Sequence, residues 1–196
     1  MWPINDDQLA RVPLTLKEIR ACVEAIDFRM SCEDKTGALL AALLGSKPAA
    51  RALELGTGAG VSTTWLLAGL DASGRLESVD DNAELIGIAQ RFLGHDPRVT
   101  FAVEDGEVFL RRLPKGAYDF IFADTWPGKF YALDECLALL APGGLYVIDD
   151  LLPQTTWPEG HGEKVVQLIS VLEQRPDLSL VKLNWASGII IASKRS

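Results

Sequence analysis

The apolar positions along the chain change period, and each change marks an element. Residues 14–28 (LTLKEIRACVEAIDF) repeat at helical spacing, with Thr15 and Glu18 placed as a capping box. Asp34 is placed to cap a second helix, TGALLAALLG, which Gly45 and Pro48 end. Short runs rich in β-branched and aromatic residues then predict strands at 51–55, 75–80, 98–103, 118–123 and 144–148. Helical patterns at 61–70, 83–93, 106–113 and 131–141 separate them. Strands alternating with helices at this pitch imply a Rossmann-like α/β fold, a mostly parallel sheet with helices on both faces. After a helix at 162–174, runs at 178–185 and 188–194 leave only Ala186 and Ser187 between them. That gap is too short for a helical crossover, so the two strands run antiparallel. Seven strands are expected, the last one antiparallel.

Composition adds bounds. The 196 residues hold no repeat and no Pro- or Gly-rich linker, so they read as a single domain over 1–196, with 1–30 a short helical extension. With 48% hydrophobic and 23% charged residues, the chain falls among ordinary globular proteins. No apolar run approaches the roughly 18 residues of a membrane span, and Met1–Asp7 lacks a signal-peptide pattern. A cytoplasmic protein without a membrane partner is expected. Cys22, Cys32 and Cys136 are odd in number and widely spaced, which suits reduced buried thiols better than a zinc site. Only His95 and His161 occur, too few for a multi-histidine metal centre. A net charge of −8 without a basic cluster disfavours nucleic acid and favours a small-molecule ligand.

The stretch RALELGTGAGVS (51–62) carries the first chemistry. Glycines at 56, 58 and 60 after a strand permit positive φ and close ligand approach, and the helix beyond, near Val61-Ser62-Thr63, offers free N–H groups. The interval is GxGxG, where dinucleotide folds use GxGxxG, and no lysine completes a phosphate loop. Glu54 just before it would repel a phosphate but suits a cation, which points to the sulfonium portion of S-adenosylmethionine (SAM). Asp80 ends the second strand, 24 residues beyond Gly56, where an acid accepts from ribose hydroxyls. NAD would use the same acid, so Asp80 indicates adenosine without choosing between the two. Asp81 reads as turn or cap chemistry. In Glu104-Asp105-Gly106, Asp105 either takes the adenine amino group or caps the next helix.

LELGTGAG, SVDDN, VEDG, YDFIFAD and LAPGGLYVIDD resemble, in order, the successive motifs of class I SAM-dependent methyltransferases. Within that class the chain is most similar to the catechol and caffeoyl-CoA O-methyltransferase family, from about Met30 to the C-terminus. The resemblance implies SAM held by Glu54, Gly56, Thr57, Gly58, Gly60, Ser62, Asp80, Asp105, Gly106 and Asp124, with Met30 and Ser31 over the methyl end. It also implies a homodimer, the usual state of related enzymes. Enzymes that methylate amino groups of adenine or glutamine resemble one another in a (D/N)PPY sequence after the fourth strand. Here Asp124-Thr125-Trp126-Pro127 stands instead, which favours a hydroxyl acceptor.

Asp124 ends the fourth predicted strand, and Asp149-Asp150 end the fifth. Ligands of parallel sheets bind beyond the carboxyl ends of strands, so the three acids are expected to converge. Unpaired, they would repel one another; a hard cation such as Mg²⁺, Mn²⁺ or Ca²⁺ relieves that, binds the acceptor oxygen and lowers its pKa. Two departures from the family bear on this. Asp150 stands where relatives carry an Asn, and Lys129 lies five residues after Asp124 rather than three. Lys129 with a depressed pKa would serve as a general base, and Trp126, Phe130 and Trp157 would wall in a flat acceptor. The expected reaction is methyl transfer from SAM to a hydroxyl of a small, flat molecule, with Asp124, Asp150 and Lys129 catalytic and Asp124, Asp149 and Asp150 as metal ligands. The alternatives are a metal-free methyltransferase on an O or N acceptor with Asp150 or His161 as base, a nicotinamide-dependent oxidoreductase, and a SAM-binding module without catalysis.

Overall fold

The structure, a computed structural model, describes residues 5–9 and 11–196. The reading of Met1–Asp7 as free of a signal peptide falls partly on residues 1–4, outside the described residues.

A helix α1 (Leu16–Ala25) comes first. The expected capping box does not form: Thr15 is helical itself (φ −67°, ψ −19°) and its hydroxyl caps nothing. An N-cap needs extended backbone, whereas here a turn from Pro13 leads straight into the helix. Asp27 (φ 51°) follows the helix and shortens it relative to the predicted 14–28. In α2 (Asp34–Gly45) Glu33 holds the N-cap position, so Asp34 lies in the first turn. Its carboxylate pairs with Arg20 of α1 instead of capping.

The alternating part then unfolds as β1 (Arg51–Leu55), α3 (Val61–Gly69), β2 (Arg75–Asp80), α4 (Ala83–Leu93), β3 (Val99–Val103), α5 (Gly106–Arg111), β4 (Tyr118–Ala123), α6 (Leu133–Leu139) and β5 (Leu140–Ile148). β5 starts earlier than predicted, because Ala141-Pro142-Gly143-Gly144 is absorbed where its register against β4 shifts. Last come α7 (His161–Glu173), β6 (Leu178–Leu183) and β7 (Ile189–Lys194). The β6–β7 connection spans 184–188, longer than the two residues expected, and still joins the strands antiparallel.

Seven strands form one sheet in the order β3-β2-β1-β4-β5-β7-β6, with β7 antiparallel to both of its neighbours. Both faces are covered. On one side Ala52, Phe120, Phe122 and Val147 pack against α1 to α4; on the other Leu53, Ile121, Tyr146 and Ile148 pack against α5, α6 and α7. Burial on both faces is why the central strands read as continuous apolar runs. Strand order reverses between β1 and β4, which pair in parallel, and a crevice at such a switch point is where these sheets bind ligands. No helix of the described residues is long and apolar enough to cross a membrane.

Candidate active site

The loop after β1 is shaped by positive φ at Gly56 (96°), Gly58 (51°) and Gly60 (91°). A Cβ at Gly56 would sit 2.8 Å from the carbonyl oxygen of Asp124, so the two strand ends approach through glycine alone. Gly58 donates its N–H to Asp80 Oδ2 at 2.9 Å, and Asn82 donates to Oδ1 at 2.9 Å. Asp80 is thereby fixed beside the loop, with lone pairs left for a ligand hydroxyl. Asn82 caps α4 by accepting from Glu84 and Leu85. The cap expected of Asp81 therefore belongs to its neighbour, and Asp81 lines the cavity instead.

Glu54 does not reach the ligand side. It is fully buried under the loop, where Ser62 donates to Oε1 (2.5 Å) and Thr63 (2.5 Å) and Ser78 (2.6 Å) donate to Oε2. Burial raises its pKa to about 7 against the pull of these three hydroxyls. Its direct contact with a cationic ligand, expected from sequence, gives way to a structural role: it ties β1, β2 and the first turn of α3 together. Gly60 likewise stays out of the cavity lining and serves as the N-cap of α3.

A cavity of about 580 Å³ runs from this loop across the ends of β4 and β5. Met30, Ser31, Thr57, Gly58, Ser62 and Asp80 line one end; Asp124, Lys129, Asp149, Asp150, Trp157 and His161 line the other. A smaller hollow of about 210 Å³ shares Gly56 and Asp80 and adds Asp105, Gly106 and Tyr131. Asp105 caps α5 by accepting from Val108 (3.0 Å) and also lines this hollow.

Lys129 reaches the site despite its shifted spacing. The Trp126 carbonyl accepts from the N–H groups of Lys129 and Phe130, and the buried Tyr146 hydroxyl donates to the Gly128 carbonyl, with Gly128 at φ 77°. This tight turn drives the Lys129 side chain inward until it is only 3% exposed, and Nζ donates to the Asp149 carbonyl oxygen at 2.6 Å. Burial lowers its pKa, while Asp124, Asp150 and Asp149 oppose that. Asp124 is pushed the other way, well up, by burial and then by Asp149. Burial also raises Asp149, against the Ser187 hydrogen bond.

The three strand-end acids do not assemble as metal ligands. Among the described residues no group of three Asp, Glu, His or Cys side chains is arranged to hold a metal ion. Asp149 Oδ1 accepts from the Ser187 hydroxyl and from the Asp150 N–H. Asp150 has positive φ (61°), and its Oδ1 accepts from the Trp157 indole at 2.7 Å. Its Oδ2 stands 3.6 Å from His161 Nε2. Separate local donors engage Asp149 and Asp150, and Lys129 lies among the three acids with its charge opposing theirs. The expected Asp124–Asp149–Asp150 metal site therefore does not fit this arrangement.

His161, read from sequence as either a base or a cap of the next helix, lines the cavity beside Lys129 and Asp150. It opens α7 after the Gly160 N-cap, is 4% exposed, and neither ring nitrogen has a hydrogen-bond partner. Trp157 stacks on it (centroids 4.4 Å apart, 26° between planes) and Phe130 meets it edge-on at 4.9 Å. Burial and then the Lys129 charge lower its pKa, with Asp150 opposing and Lys164 adding to the fall. His161 opens α7 while Trp157 lies in the loop before that helix, so no helical spacing in the sequence links the two. Ser187 and Cys32, which also line the cavity, carried no sequence signal. The three cysteines are free thiols, with Cys32 and Cys136 buried and Cys22 half-buried.

Known proteins place the chain further. The family model described as "Methyltransferase domain" matches residues 53–151. A Mycolicibacterium vanbaalenii protein named provisionally as an O-methyltransferase is 36% identical over 117 residues, 57% of this chain and 52% of that protein. The match thus spans about half the length of this curated relative. An O-methyltransferase of Bacillus cereus, solved with SAH, superposes with a TM-score of 0.84 at 22% identity, over 97% of this chain and 94% of that one. The O-methyltransferase TomG of Streptomyces achromogenes, solved with SAM, gives the same TM-score, identity and coverage. At such identities these two show the shared fold.

Proposed function

The chain belongs to the methyltransferase-domain family, and on that premise we propose that it is a SAM-dependent O-methyltransferase acting on a small, flat hydroxylated molecule. The observation that carries this reading is the single cavity joining the glycine loop and Asp80 to Lys129, Asp150 and His161. A nucleoside-holding end and an acid–base end open into one space, as transfer between two bound molecules requires.

The residues fit SAM. Asp80, anchored by Gly58 and Asn82, accepts from ribose hydroxyls; Asp105 and Gly106 in the smaller hollow take the adenine; Thr57, Ser62, Met30 and Ser31 border the rest. When bound, SAM supplies an electrophilic methyl group. The protein's part is to hold the acceptor in line with it, exclude water and manage the hydroxyl proton. Trp126 and Trp157 present aromatic surface for a flat acceptor, Phe130 packs behind them edge-on to His161 rather than lining the cavity, and Lys164 lies over the Trp126 ring at 5.3 Å. The O-methyltransferase names of the relatives support oxygen as the acceptor atom.

The test is incubation with methyl-labelled SAM and catechol, 4-nitrocatechol or caffeate. The reading expects label on a hydroxyl oxygen of the product, located by mass spectrometry and NMR. Tight SAM binding without transfer to any of the three would contradict it.

A further inference from the structure

Both ring nitrogens of His161 are buried at the cavity without a partner; among the described residues lining it, the Ser31 hydroxyl at the opposite end is likewise unpaired. A buried imidazole left without hydrogen bonds is costly, and such an orphan beside a cavity is explained by a ligand that completes it. Its surroundings are built with care. Trp157 both donates to Asp150 and stacks on His161, so one side chain fixes the carboxylate and the ring relative to each other. Asp150 Oδ2 faces Nε2 at 3.6 Å, a separation that tightens readily once substrate is bound. Lys129 lies among the strand-end carboxylates, where relatives of the resembled family would bind a cation.

We propose that methyl transfer here needs no divalent metal: His161, oriented by Asp150 and Trp157, takes the acceptor's hydroxyl proton, and the Lys129 ammonium compensates the acids of the strand ends. This rests on the O-methyltransferase reading above. The proton passes from the acceptor oxygen to an imidazole nitrogen, and an oxygen electron pair forms the new O–C bond. The breaking S–C bond leaves its electron pair on sulfur, so the sulfonium becomes a neutral thioether. The imidazolium then returns its proton to solvent. Asp150 and Trp157 are positioning residues, and His161 is the catalytic one.

The proposal is tested on the full chain with SAM and two probes, catechol and the more acidic 4-nitrocatechol. Wild-type turnover of catechol should be unchanged after dialysis against EDTA and unaffected by added Mg²⁺. His161→Asn should lower kcat on catechol by about 10²–10⁴-fold, the range of a lost general base. Its loss on 4-nitrocatechol should be much smaller, because that hydroxyl ionises without help. Asp150→Asn should give an intermediate loss of kcat with little change in KM. Long-range ¹H–¹⁵N spectra of the SAH complex, where only two histidines resonate, provide a readout independent of turnover. They should show His161 as its Nε2–H tautomer, shifted in Asp150→Asn. Turnover lost in EDTA and restored by Mg²⁺, or His161→Asn transferring to both probes at the wild-type rate, overturns the inference while leaving the O-methyltransferase reading intact. A wild-type protein that binds SAM but methylates neither probe overturns both. Should His161→Asn fail to fold, the EDTA result and the tautomer still decide.

Discussion

Ser62 Oγ donates to Glu54 Oε1 at 2.5 Å, and the contact locks the first turn of the helix after the glycine loop onto the strand before it. Glu54 is fully buried with its pKa raised to about 7. A carboxyl whose folded pKa exceeds its unfolded value stabilises the fold below the unfolded value and loses that contribution as pH rises through the folded one. Between roughly pH 4.5 and 7, Glu54 should therefore cost increasing stability, reaching about 3 kcal/mol relative to its protonated form. Glu54→Gln removes this slope. Urea unfolding from pH 5 to 8 should show the wild type losing stability relative to Glu54→Gln as pH rises, and a constant difference would refute the assignment.

Asp80 links the glycine loop to the ribose site proposed above. Asp80→Ala removes both the ligand contact and the anchor for the Gly58 and Asn82 N–H groups. Hydrogen bonds to a charged group contribute about 1.5–3 kcal/mol each, so SAM should bind at least about tenfold more weakly. Calorimetric titration measures this, with Asp80→Asn expected to fall between the two.

Gly56 and Gly58 both have positive φ but differ in surroundings. At Gly56 a methyl group would meet the Asp124 carbonyl oxygen at 2.8 Å, whereas at Gly58 the nearest atom is a Phe28 ring carbon at 3.5 Å. Gly58→Ala carries conformational strain alone, about 1–2 kcal/mol. Gly56→Ala adds a backbone clash at the point where β1 meets β4, so it should unfold at clearly lower urea and weaken SAM binding further. Equal midpoints for the two variants would contradict the close approach.

The sheet was legible because its central strands are buried on both faces and so read as unbroken apolar runs between turn residues. Asp80 and the glycine interval were legible because the one ends a strand and the other follows one directly. Side-chain direction was not. The turn that carries Lys129 inward depends on Tyr146, 18 residues away, holding the Gly128 carbonyl. The divergence of Asp149 from Asp150 depends on Ser187 in the β6–β7 connection and on Trp157. Strand ends therefore predicted that the three acids share one cavity, while the donors that engage Asp149 and Asp150 were not legible. Thr15 shows the same limit locally, where a cap sequence is overruled by the turn before it.

The most direct measurement of the central claim is calorimetric titration of the full chain with SAM and, separately, with NADH. Saturable one-to-one binding of SAM, weakened in Asp80→Ala, with no NADH binding, is the predicted result. NADH binding in the absence of SAM binding would contradict the methyltransferase account at its root.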